Sequence, residues 1–259
     1  MSMTGRPSIE AIFSRNRLVY GQEGFERLQQ SRLIVFGLGG VGGYAAEALV
    51  RSGIGDLIMV DFDRYHISNL NRQIGAGLST IGRLKVEVMK ERLMDINPEV
   101  KITIHAQFMR DQTDYQAIIP DRIDFIIDAI DGLQPKVRLL TYAVRHQLPI
   151  VCCAGAGGRN NPDLIRTADL SETYGCPLLS KIRKFLRRQG IDQGIPCVFS
   201  TETSVPPVPP SPEEILEHDE SRGRLRHTLG STPFVPAMIG LSAAAYCVNH
   251  LLATPCKKS

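Results

Sequence analysis

The sequence predicts an α/β fold: a doubly wound, mostly parallel sheet with a C-terminal extension packed on it. Short apolar runs alternate with segments of helical periodicity through the first 155 residues, the rhythm of a parallel sheet with crossover helices. The first of those runs stops at a glycine turn, "GLGGVGG" at 37–43, and the second stops at an acid, Asp61.

Residues 8–30 read as a helical arm, with Ile9, Ile12 and Phe13 and later Phe25 and Leu28 at helical spacing. "RLIVFG" (32–37) reads as a buried strand ending at glycine, and residues 41–53 as an alanine-rich helix closed by Gly53. "DLIMVD" (56–61) is a second strand. Residues 79–96 give a helix with Val86, Met89, Leu93 and Ile96 on one face, stopped by Pro98. "VKITIHA" (100–106), "IDFIIDA" (123–129) and "PIVCCAG" (149–155) are further strands, with a helix at 134–146. Beyond residue 160 the rhythm changes. "PLLSKIRKFLRRQG" (177–190) is an amphipathic basic helix, and 205–224 joins Pro206, Pro207, Pro209 and Pro210 to an acidic run, a loop or linker. The expected organisation is therefore an N-terminal arm (1–30), a nucleotide-binding domain (31–160) and a C-terminal part (161–259).

Composition narrows the classes. Apolar residues make up 43% and charged residues 22%, ordinary for a globular chain, and a net charge of +3 argues no general affinity for nucleic acid. None of the six cysteines forms a C-x-x-C pair, so zinc-knuckle spacing is missing; reduced core thiols and a cytoplasmic setting are expected. The first residues lack the apolar stretch of a secretory signal. Phe234–Ala253 carries no Asp, Glu, Lys or Arg and is long enough to span a bilayer. Its Gly240, Ser242 and Ala243–Ala245 suit close packing on a sheet, so a buried helix is the expected reading over membrane contact.

Gly37, Gly39 and Gly42 satisfy G-x-G-x-x-G between strand and helix: a tight turn, a close approach for phosphate, and close helix–strand packing. Asp61 can accept bonds from ribose hydroxyls. This pattern alone does not separate NAD, FAD and ATP. The additional Gly40 and Gly43 and the residues after Asp61 do. "GLGGVG", "DFD" (61–63), "SNLNRQ" (68–73), Lys85 and "DAIDG" (128–132) together resemble the adenylating superfamily of ubiquitin-activating and sulfur-carrier-activating enzymes. The resemblance implies a Rossmann-like domain that binds ATP and Mg²⁺ and activates a carboxylate. It implies that Asp63, Ser68, Asn69, Asn71, Arg72 and Gln73 line the nucleotide and its triphosphate. Arg72 and Lys85 can neutralise transferring phosphoryl oxygens, one through a fork and one as a point charge. Asp131 stands where a carboxylate would hold Mg²⁺, a place that also suits a helix cap. Family members lend an arginine from the arm of a partner subunit, which implies a homodimer with Arg15 or Arg17 as donor.

Within the superfamily, "YGQEG" (20–24), "RSGIG" (51–55), "NRQI" (71–74), "INPE" (96–99), "AGAGG" (154–158), "CVFSTE" (197–202) and "FVPAMIGL" (234–241) are similar to the tRNA threonylcarbamoyladenosine dehydratases. That branch implies ATP-dependent cyclisation of threonylcarbamoyladenosine in tRNA, next to the anticodon. The alternative branch adenylates the C-terminal glycine of a ubiquitin-like sulfur carrier, and many of its members carry paired C-x-x-C motifs. Lys181, Lys184, Arg187 and Arg188 on the basic helix are candidate phosphate contacts for tRNA. Cys197 has two readings: a thiol that captures the activated acyl group or takes sulfur from a relay protein, or an inert core residue.

Overall fold

The computed structural model describes residues 8–210 and 227–253. The arm is two helices, α1 (Ile9–Ile12) and α2 (Ser14–Gln30), the second kinked where Gly21 takes φ 71°. Then come β1 (Arg32–Phe36), α3 (Gly42–Arg51), β2 (Asp56–Val60), α4 (Lys85–Ile96) and β3 (Lys101–His105). They are followed by α5 (Gln112–Ile118), β4 (Phe125–Asp128), α6 (Leu133–Arg145) and β5 (Ile150–Cys153). The remainder is β6 (Ile165–Asp169), α7 (Pro177–Arg187), β7 (Pro196–Ser200) and α8 (Phe234–Ala253).

All seven strands join one sheet in the order β3-β2-β1-β4-β5-β7-β6, parallel except for β6 against β7. Successive residues of a strand face opposite sides, so an apolar strand must be covered twice. In β1, Leu33 and Val35 pack with α3, α4 and α8, while Ile34 and Phe36 pack with α5, α6 and α7. The C-terminal part thus does more than pack on the sheet: β7 and β6 extend it beyond β5. The helix expected from residue 79 starts only at Lys85, with a 3₁₀ turn at Leu78–Thr80 before it. Most of the proline-rich acidic stretch falls outside the described residues.

The apolar helix α8 lies against α3 and the sheet. A Cβ on Gly240 would sit 2.2 Å from the Val41 carbonyl oxygen, so the two backbones touch. At its C-terminal end Arg27 donates to the carbonyls of Leu251 (3.3 Å) and Leu252 (2.7 Å), a cation where a helix carries partial negative charge. Half of α8 is buried, although its length and composition would let it cross a membrane.

Candidate active site

In this strand order, connections leave β1 and β4 in opposite directions, and a crevice opens at their C-terminal ends. A cavity of about 700 Å³ occupies it, bounded by the ends of β2, β1, β4 and β5. Its floor is the glycine turn. Gly37 holds φ 88°, and a Cβ there would meet the Ala129 carbonyl oxygen at 2.7 Å. A Cβ on Gly42 would lie 1.7 Å from the Gly37 oxygen, so only glycine lets α3 start this close to β1.

At the β2 end, Asp61 is buried and its carboxylate accepts from the backbone N–H of Leu38 (2.6 Å) and of Asp63 (2.8 Å). Burial pushes its carboxyl above the ordinary range, against the pull of the nearby Lys85 charge. Lys85 is the first residue of α4; its Nζ meets Asp63 Oδ2 at 3.0 Å and its backbone N–H donates to the Asp63 carbonyl. Both side chains line the cavity. Arg72 projects from the following loop, held by Nη1 to the Ser68 carbonyl (2.7 Å) and Asn71 Oδ1 (3.0 Å). Burial lowers its guanidinium, and the charge of Asp131 opposes that shift from across the cavity. Gln73 is 7% exposed and its Oε1 has no partner among the described residues. A buried unpaired acceptor on a cavity wall is costly unless something enters to meet it.

The structure brings Gly37, Gly39, Gly40, Asp61, Asp63, Arg72, Gln73, Lys85 and Asp131 to one cavity, with Gly42 just behind its floor. It does not bring Ser68, Asn69 or Asn71 there. Asn69 is buried and caps a 3₁₀ turn by accepting from His66 N–H, and Asn71 donates to the Ser231 carbonyl at 2.8 Å. These two asparagines fasten the loop that presents Arg72. Cys197 is also elsewhere: it is fully buried in β7 beside Cys152 of β5, and burial pushes its thiol well above the ordinary range. A thiol buried this fully and absent from the cavity lining fits the core reading of Cys197 and not the catalytic one. Arg17 rests on Glu10 (3.5 Å) and over the Phe25 ring, while Arg15 is exposed; neither lines the cavity. The basic helix α7 begins at the cavity's β5 end, where Cys176 Sγ lies near Gly155, and runs away from it.

Two features are not apparent from the sequence. Gln107–Met109 and Cys153–Ala156 complete the cavity wall, and Lys136 lies beneath it, fully buried. Its Nζ meets Asp128 Oδ2 (2.9 Å) and donates to the carbonyls of Asp128 (3.1 Å) and Ile130 (3.0 Å). Lys136 shares the buried face of α6 with Leu140 and Ala143, a spacing that could have flagged it.

The donor set suits ATP and Mg²⁺. Cations flank a glycine turn, and Asp131 offers a hard oxygen ligand. No cluster of three His, Cys, Asp or Glu that could hold a metal exists among the described residues, so Mg²⁺ would rely on Asp131 and the phosphates together.

The model of the ThiF family matches residues 13–259. A tRNA threonylcarbamoyladenosine dehydratase of Bacillus subtilis is 36% identical, over 93% of this chain and 94% of the relative. The solved structure of the Escherichia coli tRNA N6-threonylcarbamoyladenosine dehydratase in complex with ATP superposes with a TM-score of 0.82 at 32% identity, covering 94% of this chain and 95% of that one. The Escherichia coli molybdopterin-synthase adenylyltransferase is 36% identical over a shorter span, 60% of this chain and 61% of the relative.

Proposed function

The chain belongs to the ThiF family, and from that premise we propose that it carries out the ATP-dependent dehydration of threonylcarbamoyladenosine in tRNA. The observation that carries this reading is coverage: similarity to the dehydratases runs through β7, β6 and α8, whereas similarity to the sulfur-carrier adenylyltransferases spans about 60% of the chain.

The chemistry derives from the cavity. A carboxylate oxygen is a poor leaving group, so the threonyl carboxylate attacks a phosphorus of ATP and becomes part of a mixed anhydride. Pyrophosphate departs if the α-phosphorus is attacked, leaving an acyl-adenylate; ADP departs if the γ-phosphorus is attacked, leaving an acyl-phosphate. Lys85 and Arg72 offset the charge that develops on the phosphoryl oxygens. Asp131 would hold Mg²⁺, whose role is to screen the phosphates from one another. The carbamoyl group of the same substrate then adds to the activated carbon, and AMP (from an acyl-adenylate) or phosphate (from an acyl-phosphate) leaves with the former carboxylate oxygen. Ring closure needs no protein nucleophile, since the attacking group is tethered to the acyl carbon and proximity lowers the barrier. The buried position of Cys197 supports this direct route over a thioester or a sulfur relay through that thiol.

The functional unit is a homodimer. Leu18 and Val19 on the arm are 82% and 79% exposed, beside Arg15 and Arg17, and a second copy would cover them while delivering an arginine. For tRNA, Lys181 and Lys184 stand on the part of α7 nearer the cavity and are the favoured contacts.

The deciding experiment is mass spectrometry of nucleosides from threonylcarbamoylated tRNA treated with protein, ATP and Mg²⁺. The expected result is loss of one water from the modified nucleoside, with ADP or AMP identifying the phosphorus attacked. An unchanged nucleoside alongside pyrophosphate release driven by a sulfur-carrier protein would overturn the assignment.

A further inference from the structure

The loop after β5, "AGAGG" at 154–158, is built around one buried arginine. Arg159 is 4% exposed, and its guanidinium donates to four backbone carbonyls: Gly155 (2.9 Å), Gly157 (3.1 Å), Gly175 (2.7 Å) and Glu202 (2.9 Å). The Glu202 carboxylate in turn accepts from the backbone N–H of Asn160 and Asn161.

This arrangement sets the direction of the peptide groups. In a trans peptide the C=O and the following N–H point opposite ways. The Gly155 and Gly157 carbonyls turn inward to Arg159, so the N–H groups of Ala156 and Gly158 turn away from it. Gly158 N–H finds the Gly230 carbonyl. Ala156 N–H has no partner among the described residues, nor has Gly155 N–H, and both residues line the cavity. Ala156 is buried and Gly155 half-buried, and buried backbone donors are almost always paired, so these two adjacent donors on a cavity wall mark a place for an acceptor.

The sheet says which acceptor. Ribose and phosphates belong to the ends of β2 and β1, where Asp61 and the glycine turn lie. The Asp131 turn follows β4, and Ala156 follows β5, two strands or about 10 Å from the glycine turn. Lys85 pairs with Asp63 at the β2 end and Arg72 stands beside Gly40 of the glycine turn, while the Gly155 and Ala156 N–H groups are donors at the β5 end. We infer that the N–H groups of Gly155 and Ala156 hold the threonyl carboxylate of the substrate, with Arg159 as the positioning residue that aims them. This rests on the dehydratase reading above. During activation one carboxylate oxygen stays on these donors while the other bonds to phosphorus, and pyrophosphate (α attack) or ADP (γ attack) departs. During ring closure the retained oxygen carries the negative charge of the tetrahedral adduct. That charge returns to the carbonyl as AMP or phosphate leaves with the bridging oxygen, and the carbamoyl proton is lost to solvent.

The test deletes one donor and nothing else: Ala156 is replaced by lactic acid, which turns its amide into an ester. The expected result is a fall in turnover on modified tRNA of roughly 10²-fold, the scale of a single oxyanion donor, with KM for ATP and the melting temperature close to wild type. Arg159→Lys keeps the cation but not the fork, and is expected to lower kcat on tRNA without raising KM for ATP. It stands in if the ester variant does not fold. Wild-type turnover in the ester variant would overturn the inference. Loss of ATP affinity in either variant would too, since the donors would then serve the nucleotide. If the wild-type protein itself forms no dehydrated nucleoside, the dehydratase reading fails first.

Discussion

Two lysines are buried against aspartates in this fold, and they do different work. Lys85 faces the cavity, and its partner Asp63 keeps a third of its side chain exposed. That pair can open, letting the ammonium turn to a phosphate. Lys136 and Asp128 are wholly enclosed, and the lysine also holds two carbonyls of the turn that carries Asp131. Burial pulls the Lys136 ammonium down, but the Asp128 carboxylate outweighs it and holds the group above its ordinary range. With its charge satisfied inside, Lys136 can act only by holding backbone. Exposure of the partner therefore separates a group for the reaction from one for the scaffold.

The largest effect is expected from breaking the enclosed pair. Lys136→Met leaves Asp128 buried without a counter-charge, which costs about 3–5 kcal/mol. For a chain of this size the melting temperature should drop by on the order of 10 °C. The double variant Lys136→Met with Asp128→Leu removes both charges and should regain most of that loss. Its turnover should stay below wild type, because the Ile130 carbonyl has lost its donor and the Asp131 turn its anchor. Full recovery of turnover would reduce the pair to filler.

Opening the cavity-facing pair gives the contrasting signature. Lys85→Ala should stay folded and lose roughly 10²- to 10³-fold in turnover, as expected for a single electrostatic donor. Steady-state kinetics at saturating ATP and a thermal melt decide it. Near-wild-type turnover would move the phosphate contact elsewhere.

That contrast also shows what can be read from the chain. The glycine turn, Asp61 and the strands "RLIVF" and "FIID" are legible because contiguous residues encode them: apolar runs buried on both sides, and glycines at positions where a Cβ collides. β6 is not, since "IRTAD" is short, half-exposed and paired only with β7. Asn69 and Asn71 resemble phosphate ligands in sequence because they flank Arg72. Short polar side chains are as well suited to fastening a nearby loop, and only the fold shows which they do. Lys136 looks like any polar helix residue until its neighbours on the buried face are known, and Cys197 draws notice for its chemistry rather than for the apolar strand around it.

A subtler effect is expected at the arm. If the active cavity borrows an arginine, Arg15→Ala or Arg17→Ala should reduce turnover without changing the melting temperature. Mixing the affected variant with Lys85→Ala should restore activity, because one shared site in the mixed dimer keeps both groups. Mixing that restores nothing would mean that each cavity is complete in its own subunit.

The smallest effect should come from the far end of α7, and it depends on the direction of that helix. α7 starts at Pro177 beside the cavity and rises about 1.5 Å per residue, so Lys181 lies about 6 Å along it and Arg187 about 15 Å. The chain then turns through Ile191–Ile195 to enter β7 at the sheet edge opposite the cavity. Arg187 is 3.9 Å from Asp192 and Arg188 lies over the Phe185 ring, so both have local partners. A tRNA whose modified base enters the cavity meets Lys181 and Lys184 first. Each phosphate contact contributes about 0.7–0.9 to the slope of log K against log salt. Lys181→Glu with Lys184→Glu should therefore flatten that slope by roughly 1–2 while leaving ATP binding unchanged. Arg187→Glu with Arg188→Glu should flatten it by less than about 0.5. Fluorescence titrations of the anticodon stem-loop across a salt series would measure both. An equal change in the two double variants would mean that the bound RNA follows the whole helix to the far edge of the sheet.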